Sequence, residues 1–405
     1  MRWLGLFVVA PLFMADAGTL SAQRRGSLER PAASEFDLRE VARVGGWDER
    51  PGYALEQVKA GLVRADGTFV LADQRARQVR FYTPAGHLIA AVGRDGDGPG
   101  EFRSLQAMGL LRDGSVAVWD FASARLTILG PEGALGPTAR IQDPELTSLY
   151  ATLVGVFPDT SVVMRDDVHA YSLRAEPTGL RRDSVSLRVY GPDGSPRSPV
   201  LKTPGPERLL YRVDRSWGTT ELLFAREVAS AVTASELLVA SGDSLAILRY
   251  SPSGSPRPAW VAPYEPAVAA RADVAAEREK RRVAARRRAE TRASASIPFA
   301  TSTEAQLRQE LERIDGLDAY VSFPAFRGLV VADGKTVWVE DAVWGESKGA
   351  HWHQLDSSLT AVGVFELPVS QRLLAIGAGR VLVLETDEFD VESVVLYRLE
   401  ARSAR

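Results

Sequence analysis

Short apolar runs, each ending in a polar residue and set off by tight-turn residues, recur along most of the chain. The clearest are TFVLAD (68–73), SVAVWD (115–120), SVVMRD (161–166), ELLVAS (236–241), KTVWVED (335–341) and RVLVLET (380–386). Successive positions within them are apolar, so both faces of each predicted strand must be buried, as in sheets stacked face to face. Each run follows a turn: Asp66-Gly67, Asp113-Gly114, Asp159-Thr160, Ala234-Ser235, Asp333-Gly334 and Gly377 to Gly379. Asp and Gly supply the backbone conformations that two-residue hairpins demand. A second strand follows each run, and four of the six enter a Pro-x-Gly turn, at Pro84, Pro131, Pro192 and Pro252.

Gly67 and Gly114 are 47 residues apart, as are Gly86 and Gly133. Periods of about 40–50 residues built from short strands belong to β-propellers, in which no sheet buries its own faces and stacking supplies the core. The expected fold is therefore all-β: a closed six-bladed β-propeller of four-stranded antiparallel blades spanning 35–405. The first strand of each blade carries a small residue at a comparable place, namely Gly61, Gly109, Gly155, Ala231, Gly328 and Ala375. Glycine weakens a strand, so its recurrence predicts close backbone approach near a common axis. The sixth blade lacks an outer strand, and EFDLREVARVG (35–45) has the character to supply it and remove an open edge.

Two stretches break the period. Extra residues fall at 166–186 and 203–226, and a longer excess at 263–315, between blades four and five. Within the latter, 271–293 is rich in Ala, Arg and Glu, and 303–314 follows with Thr303 and Gln306 in the pattern of a capping box, so both are expected to be helices.

Composition changes little in this picture. With 45% hydrophobic residues, 25% charged and a formal net charge of −3, nothing points to nucleic acid or an anionic membrane. The amino terminus adds more. Arg2 precedes an apolar run from Trp3 to Ala15, too short to span a bilayer but fitted to a signal peptide over 1–23. Ala15 to Ala17 fits the small-x-small rule for cleavage, and Ser21 to Gln23 is a second candidate site. Periplasmic or secreted localisation is expected, with no transmembrane segment. Cysteine is absent, so disulfides, thiol chemistry and a lipid-anchored cysteine are excluded.

The run VGRDGDGPGEFRSLQAMGLLRDGSVAVWDFASARLTILGPEG (92–133) resembles NHL-repeat and related bacterial six-bladed propellers. Their pattern is a Gly-Pro-Gly-Glu-Phe connection, here Gly98 to Phe102, then a glycine-containing inner strand, an Asp-Gly turn, a valine-rich strand ending in Asp, and a Pro-x-Gly turn. The likeness is strong over 55–141 and reduces to spacing in later blades. It implies a closed ring but no single activity, because members bind peptides or RNA or act as enzymes.

Candidate chemistry is ranked by position, since binding usually occurs at the end of a propeller where the B-to-C and D-to-A connections emerge. Asp95 and Asp97 imitate the start of a calcium loop, but the carboxylate needed at its twelfth position is absent, so a structural turn is expected. Asp73, Asp120 and Asp166 end strands near the mouth, as a metal ring would require, or as loop-capping carboxylates do. His351 and His353 share a strand face without a third ligand, while His87 and His169 lie elsewhere. Lactonase-like propellers hold a divalent metal in the channel. The corresponding entries here are Gln57, Gln106, Glu227 and Gln371, a weak field for a hard cation. No metal, cofactor or catalytic residue is assigned.

The basic segment 271–293 carries nine Lys/Arg against four Asp/Glu. It is expected to be a solvated, ion-paired helix, with Arg286, Arg287 and Arg288 as candidate anion ligands. His169, Tyr171, Trp217, Trp344 and Lys348 lie in the expanded loops and are the candidate ligand contacts. The function expected is that of an exported, monomeric, non-enzymatic binding or scaffold protein for a peptide, glycan or protein partner. The alternative is a metal-dependent hydrolase or lyase with its site in the channel.

Overall fold

The computed structural model describes residues 34–402 except 49, 142, 144–150, 168–177, 214–215, 265, 295–303, 318, 320–321, 342–348, 369 and 388. The proposed signal segment 1–23 lies outside the described residues.

The chain enters through a long strand, β1 (Ser34–Gly45), and then builds successive antiparallel sheets. The first sheet is β2 (Val58–Val63), β3 (Phe69–Asp73), β4 (Gln78–Tyr82) and β5 (Leu88–Val92). The second is β6 (Leu105–Leu110), β7 (Val116–Asp120), β8 (Arg125–Leu129) and β9 (Leu135–Arg140). The third is β10 (Thr152–Val156) and β11 (Val162–Asp166), then β13 (Ser184–Tyr190) and β14 (Leu201–Pro204), with a short β12 (Gly179–Arg181) outside the sheet. A hairpin, β15 (Arg208–Val213) and β16 (Ser216–Glu221), precedes the fourth sheet, β17 (Ala229–Val232), β18 (Leu237–Ala240), β19 (Ala246–Tyr250) and β20 (Pro256–Val261).

Two helices follow, α1 (Arg271–Ser294) and α2 (Glu304–Asp315). The chain then forms β21 (Gly328–Ala332), β22 (Thr336–Glu340), β23 (Gly349–Leu355) and β24 (Ala361–Pro368), and ends with β25 (Gln371–Gly377), β26 (Arg380–Thr386) and β27 (Glu392–Ala401). Strand β1 runs antiparallel to β27 along most of its length, and its first residues, Ser34 and Glu35, pair in parallel with Gly363 and Val364 of β24. The last two groups are thereby joined into one eight-stranded sheet.

The architecture is all-β and propeller-like. First strands adjoin in chain order, β2 with β6, β6 with β10, β10 with β17, β17 with β21 and β21 with β25, and β25 meets β2. Second strands are buried on both faces: β3, β7 and β18 have no accessible position. The core accordingly lies between sheets, as where Val70, Ala72 and Phe81 of the first pack with Met108, Val116 and Val118 of the second. Glycines sit where neighbours press in. A Cβ on Gly109 would stand 2.3 Å from Val156 Cγ2, and one on Gly155 would stand 2.9 Å from Val232 Cβ.

Where the period breaks, the structure departs from simple loops. Strand β12, from the connection inside the third sheet, pairs with β15 from the connection after it, making a three-stranded sheet β12-β15-β16. The pairing joins segments about thirty residues apart that share no hairpin turn, so local sequence does not announce it.

Candidate binding site beneath the helical cap

In an antiparallel A-B-C-D sheet, the B-to-C and D-to-A connections leave from the same end. The sheet β12-β15-β16 and both helices are inserted in such connections, so they gather at one end, here called the mouth. They share an apolar nucleus of Leu223, Phe224, Ala267, Leu317 and Phe323, with Leu209 and Val274 against it. Phe224 and Phe323 meet at 4.7 Å between ring centroids. Polar ties reinforce it: Arg278 donates to the Leu317 carbonyl at 2.7 Å, Arg281 to the Leu222 carbonyl at 3.1 Å, and Arg282 to Asp315 Oδ1 at 2.7 Å.

Helix α1 has almost no apolar stripe, and the side it turns inward carries charge beside Val274 and Ala285. Asp273 and Glu277 are buried. Lys280, one turn further on, stays exposed to water, yet the protein crowding it strips enough hydration to lower its pKa, an effect that Arg327 and Arg281 increase and that Glu277 and Glu340 oppose.

Electrostatic coupling links Lys280 to charged residues at the fifth sheet. Glu340 ends β22 opposite Gly328, and a Cβ on that glycine would stand 3.0 Å from both Glu340 Oε2 and the Trp352 ring. Burial raises the Glu340 pKa, with Arg327 and Lys280 pulling it down and Asp341 pushing it up. The Arg327 amide donates to the Glu340 carbonyl at 2.9 Å. Beside them, Tyr264 donates to the Pro324 carbonyl at 3.1 Å, and burial pushes its hydroxyl up to about 12. His353 is buried with Nε2 3.6 Å from Asp341 Oδ2. Toward the fourth sheet the charges continue: Arg226 lies 3.2 Å from Asp243 and 3.5 Å from Glu207, and Arg208 lies 4.0 Å from Glu227.

The other expected site residues fare differently. His169, Tyr171, Trp344 and Lys348 lie outside the described residues, as do the side chains of Trp217, Arg287 and Arg288; the Trp217 backbone belongs to β16. Arg286 is exposed, 3.5 Å from Glu279 on the outer side of α1. Asp73 accepts the Glu56 and Ala76 amides, and Asp120 accepts those of Arg103 and Ser104, so both cap the loops at their strand ends. Asp97 holds Arg103, and Asp95 lies 3.4 Å from Arg77. Gln371 donates to Glu385, and Gln106 to Ser104. Among the described residues no group of three or more His, Asp or Glu is placed to hold a metal ion. No helix among them is long and apolar enough to cross a membrane.

Sequence reasoning passed over Lys280, Arg327 and Glu340. The available signal was the Asp273, Glu277, Lys280 spacing on a helix with so few apolar residues that any docked face had to be charged.

No protein-family model and no curated protein sequence matches the chain. Among solved structures it is similar to virginiamycin B lyase from Staphylococcus aureus, with 11% identity over 90% of this chain and 100% of that one and a TM-score of 0.39. It is similar to a member of the DUF4221 family from Bacteroides vulgatus, with 9% identity over 91% and 99% and a TM-score of 0.45. A PQQ-bound aldose sugar dehydrogenase from Streptomyces coelicolor gives 12% identity over 92% and 100% and a TM-score of 0.43.

Proposed function

We propose that the protein is an exported, six-bladed propeller of the NHL-repeat kind, its ring closed between the first and sixth sheets, that binds a peptide, glycan or protein partner at the mouth. One observation carries this reading. The insertions converge on one end and cover it with a helix whose buried side chains include Asp273 and Glu277, so charged groups gather at the mouth where a polar ligand would be met. Glu392 and Arg372 support closure: Glu392 accepts the Val58 amide at 2.7 Å, and Arg372 donates to the Val58 carbonyl at 2.9 Å, tying β2 to the last sheet.

The test is capture of partners from culture medium and periplasmic extract by the immobilised full chain, compared with a chain lacking 166–186 and 341–350 and with an Arg327→Met, Glu340→Gln double variant. Capture lost in both altered proteins supports the reading. Capture unchanged in both assigns binding to another face.

A further inference from the structure

Trp47 and Phe389 lie near opposite ends of the chain, and the fold sets them side by side. Their ring centroids are 6.1 Å apart with the planes at 69°. Both stand in water, 73% and 68% exposed, whereas the other exposed large hydrophobic side chains among the described residues are Ile, Leu and Val. Trp47 sits in the connection from β1 to β2 and Phe389 in that from β26 to β27, a D-to-A and a B-to-C connection, so the pair belongs to the mouth. Hydrogen bonds hold each turn. The Gly46 amide donates to the Glu392 carbonyl at 2.8 Å, and Asp387 Oδ1 accepts the Phe389 and Val391 amides at 2.8 and 2.9 Å. The rings are therefore displayed on pre-organised turns. These turns are acidic by sequence: 45–53 and 386–391 carry Asp48, Glu49, Asp387, Glu388 and Asp390 against Arg50 alone. Arg50 itself donates to Asp48 and lies over the Tyr53 ring, 3.9 Å from its centroid.

We propose that the corner between Trp47 and Phe389 binds the quaternary ammonium group of a small soluble molecule. Rings set edge to face leave a corner bounded by a face of each. At this spacing a cation placed there comes within about 6 Å of both centroids, where the negative ring faces attract positive charge. Methyl groups on the nitrogen match the apolar rings, and the acidic turns add attraction at longer range. A neutral sugar would use the rings and gain nothing from the charge, and an anion would be repelled. A protein partner needs about 800 Å² on each side, whereas two aromatic side chains offer at most about 500 Å². The site is independent of the partner-binding reading, since neither ring belongs to an insertion.

The experiment is calorimetric titration of the full chain, at neutral pH and low salt, with choline, with the uncharged isostere in which carbon replaces the choline nitrogen, and with phosphatidylcholine vesicles. Choline is expected to bind with a dissociation constant of about 1 mM or tighter, and the isostere at least about tenfold more weakly. Raising the salt to about 0.5 M should weaken choline and leave the isostere unchanged. Trp47→Ala and Phe389→Ala should each weaken choline about tenfold while the unfolding midpoint stays that of the wild type, because both side chains are exposed. Equal affinity for choline and the isostere, no choline binding up to about 10 mM, or choline binding that survives both substitutions overturns the inference. Vesicle binding without choline binding overturns it as well and assigns the rings to a membrane surface. Partner capture by the mouth is measured separately, so failure here leaves that reading standing.

Discussion

The guanidinium of Arg313 on α2 donates to the hydroxyl of Tyr211 on β15 at 2.8 Å and lies over the same ring, 4.7 Å from its centroid. The contact pins the helical insertion to the extra sheet across about a hundred residues of sequence, at the rim of the cap. A hydrogen bond of this kind and a partly exposed cation–π contact are each worth about 1 kcal/mol or less. Arg313→Ala should therefore loosen the cap without unfolding the sheets. Amide exchange across 304–315 and 208–213 is expected to quicken about fivefold, with exchange in β3 and β7 unchanged. A matching acceleration in β3 and β7 would mean that the cap and the sheets open as one unit.

Asp120 is fully buried, caps two amides of the preceding loop and lies 3.7 Å from Arg125, which donates in turn to the carbonyls of Asp97 and Gly98. Asp120→Ala removes one partner and leaves a buried guanidinium uncompensated, a change that costs about 3–5 kcal/mol. Asp120→Asn keeps an acceptor and should cost less. Urea unfolding midpoints should rank wild type, Asn and Ala in that order; equal midpoints for Asn and Ala would show that the charge alone matters.

Gly109 gives β6 room against Val156 of the third sheet. Gly109→Ala should cost about 1–3 kcal/mol by overpacking. Val156→Ala in the same background should recover part of that loss, although alone it destabilises by creating a cavity. Additive losses in the double variant would disprove the close approach of the two strands.

Glu340 links stability to pH. Its carboxyl pKa is raised by burial, so the native state keeps the proton to higher pH than the unfolded chain does. Its contribution to stability is present below the unfolded value, about 4.3, and is lost as pH rises through the folded value. Glu340→Gln lacks this slope. Measured by urea unfolding from mildly acidic to neutral pH, the variant should gain on the wild type as pH rises. A constant offset would mean that Glu340 titrates alike in both states.

Sequence by itself determined the repeated part of the protein. Asp-Gly turns and strands apolar at consecutive positions are local requirements, because a tight turn needs particular backbone angles and a sheet buried on both faces needs uninterrupted apolar residues. They locate β3, β7, β11, β18, β22 and β26. The helices were legible too: 271–293 against α1 at Arg271–Ser294, and 303–314 against α2 at Glu304–Asp315, with Thr303 itself outside the described residues. Tertiary structure alone decided the rest. The pairing of β12 with β15, the parallel start of β1 on β24 and the electrostatic coupling of Lys280 with Arg327 and Glu340 join residues far apart in the chain. The two strand pairings draw on backbone hydrogen bonds between distant segments, and the charged residues on desolvation and long-range charge, so both depend on what the folded chain brings together rather than on sequence neighbours. Hence a helix that reads as a solvated surface element became the charged roof of the candidate site.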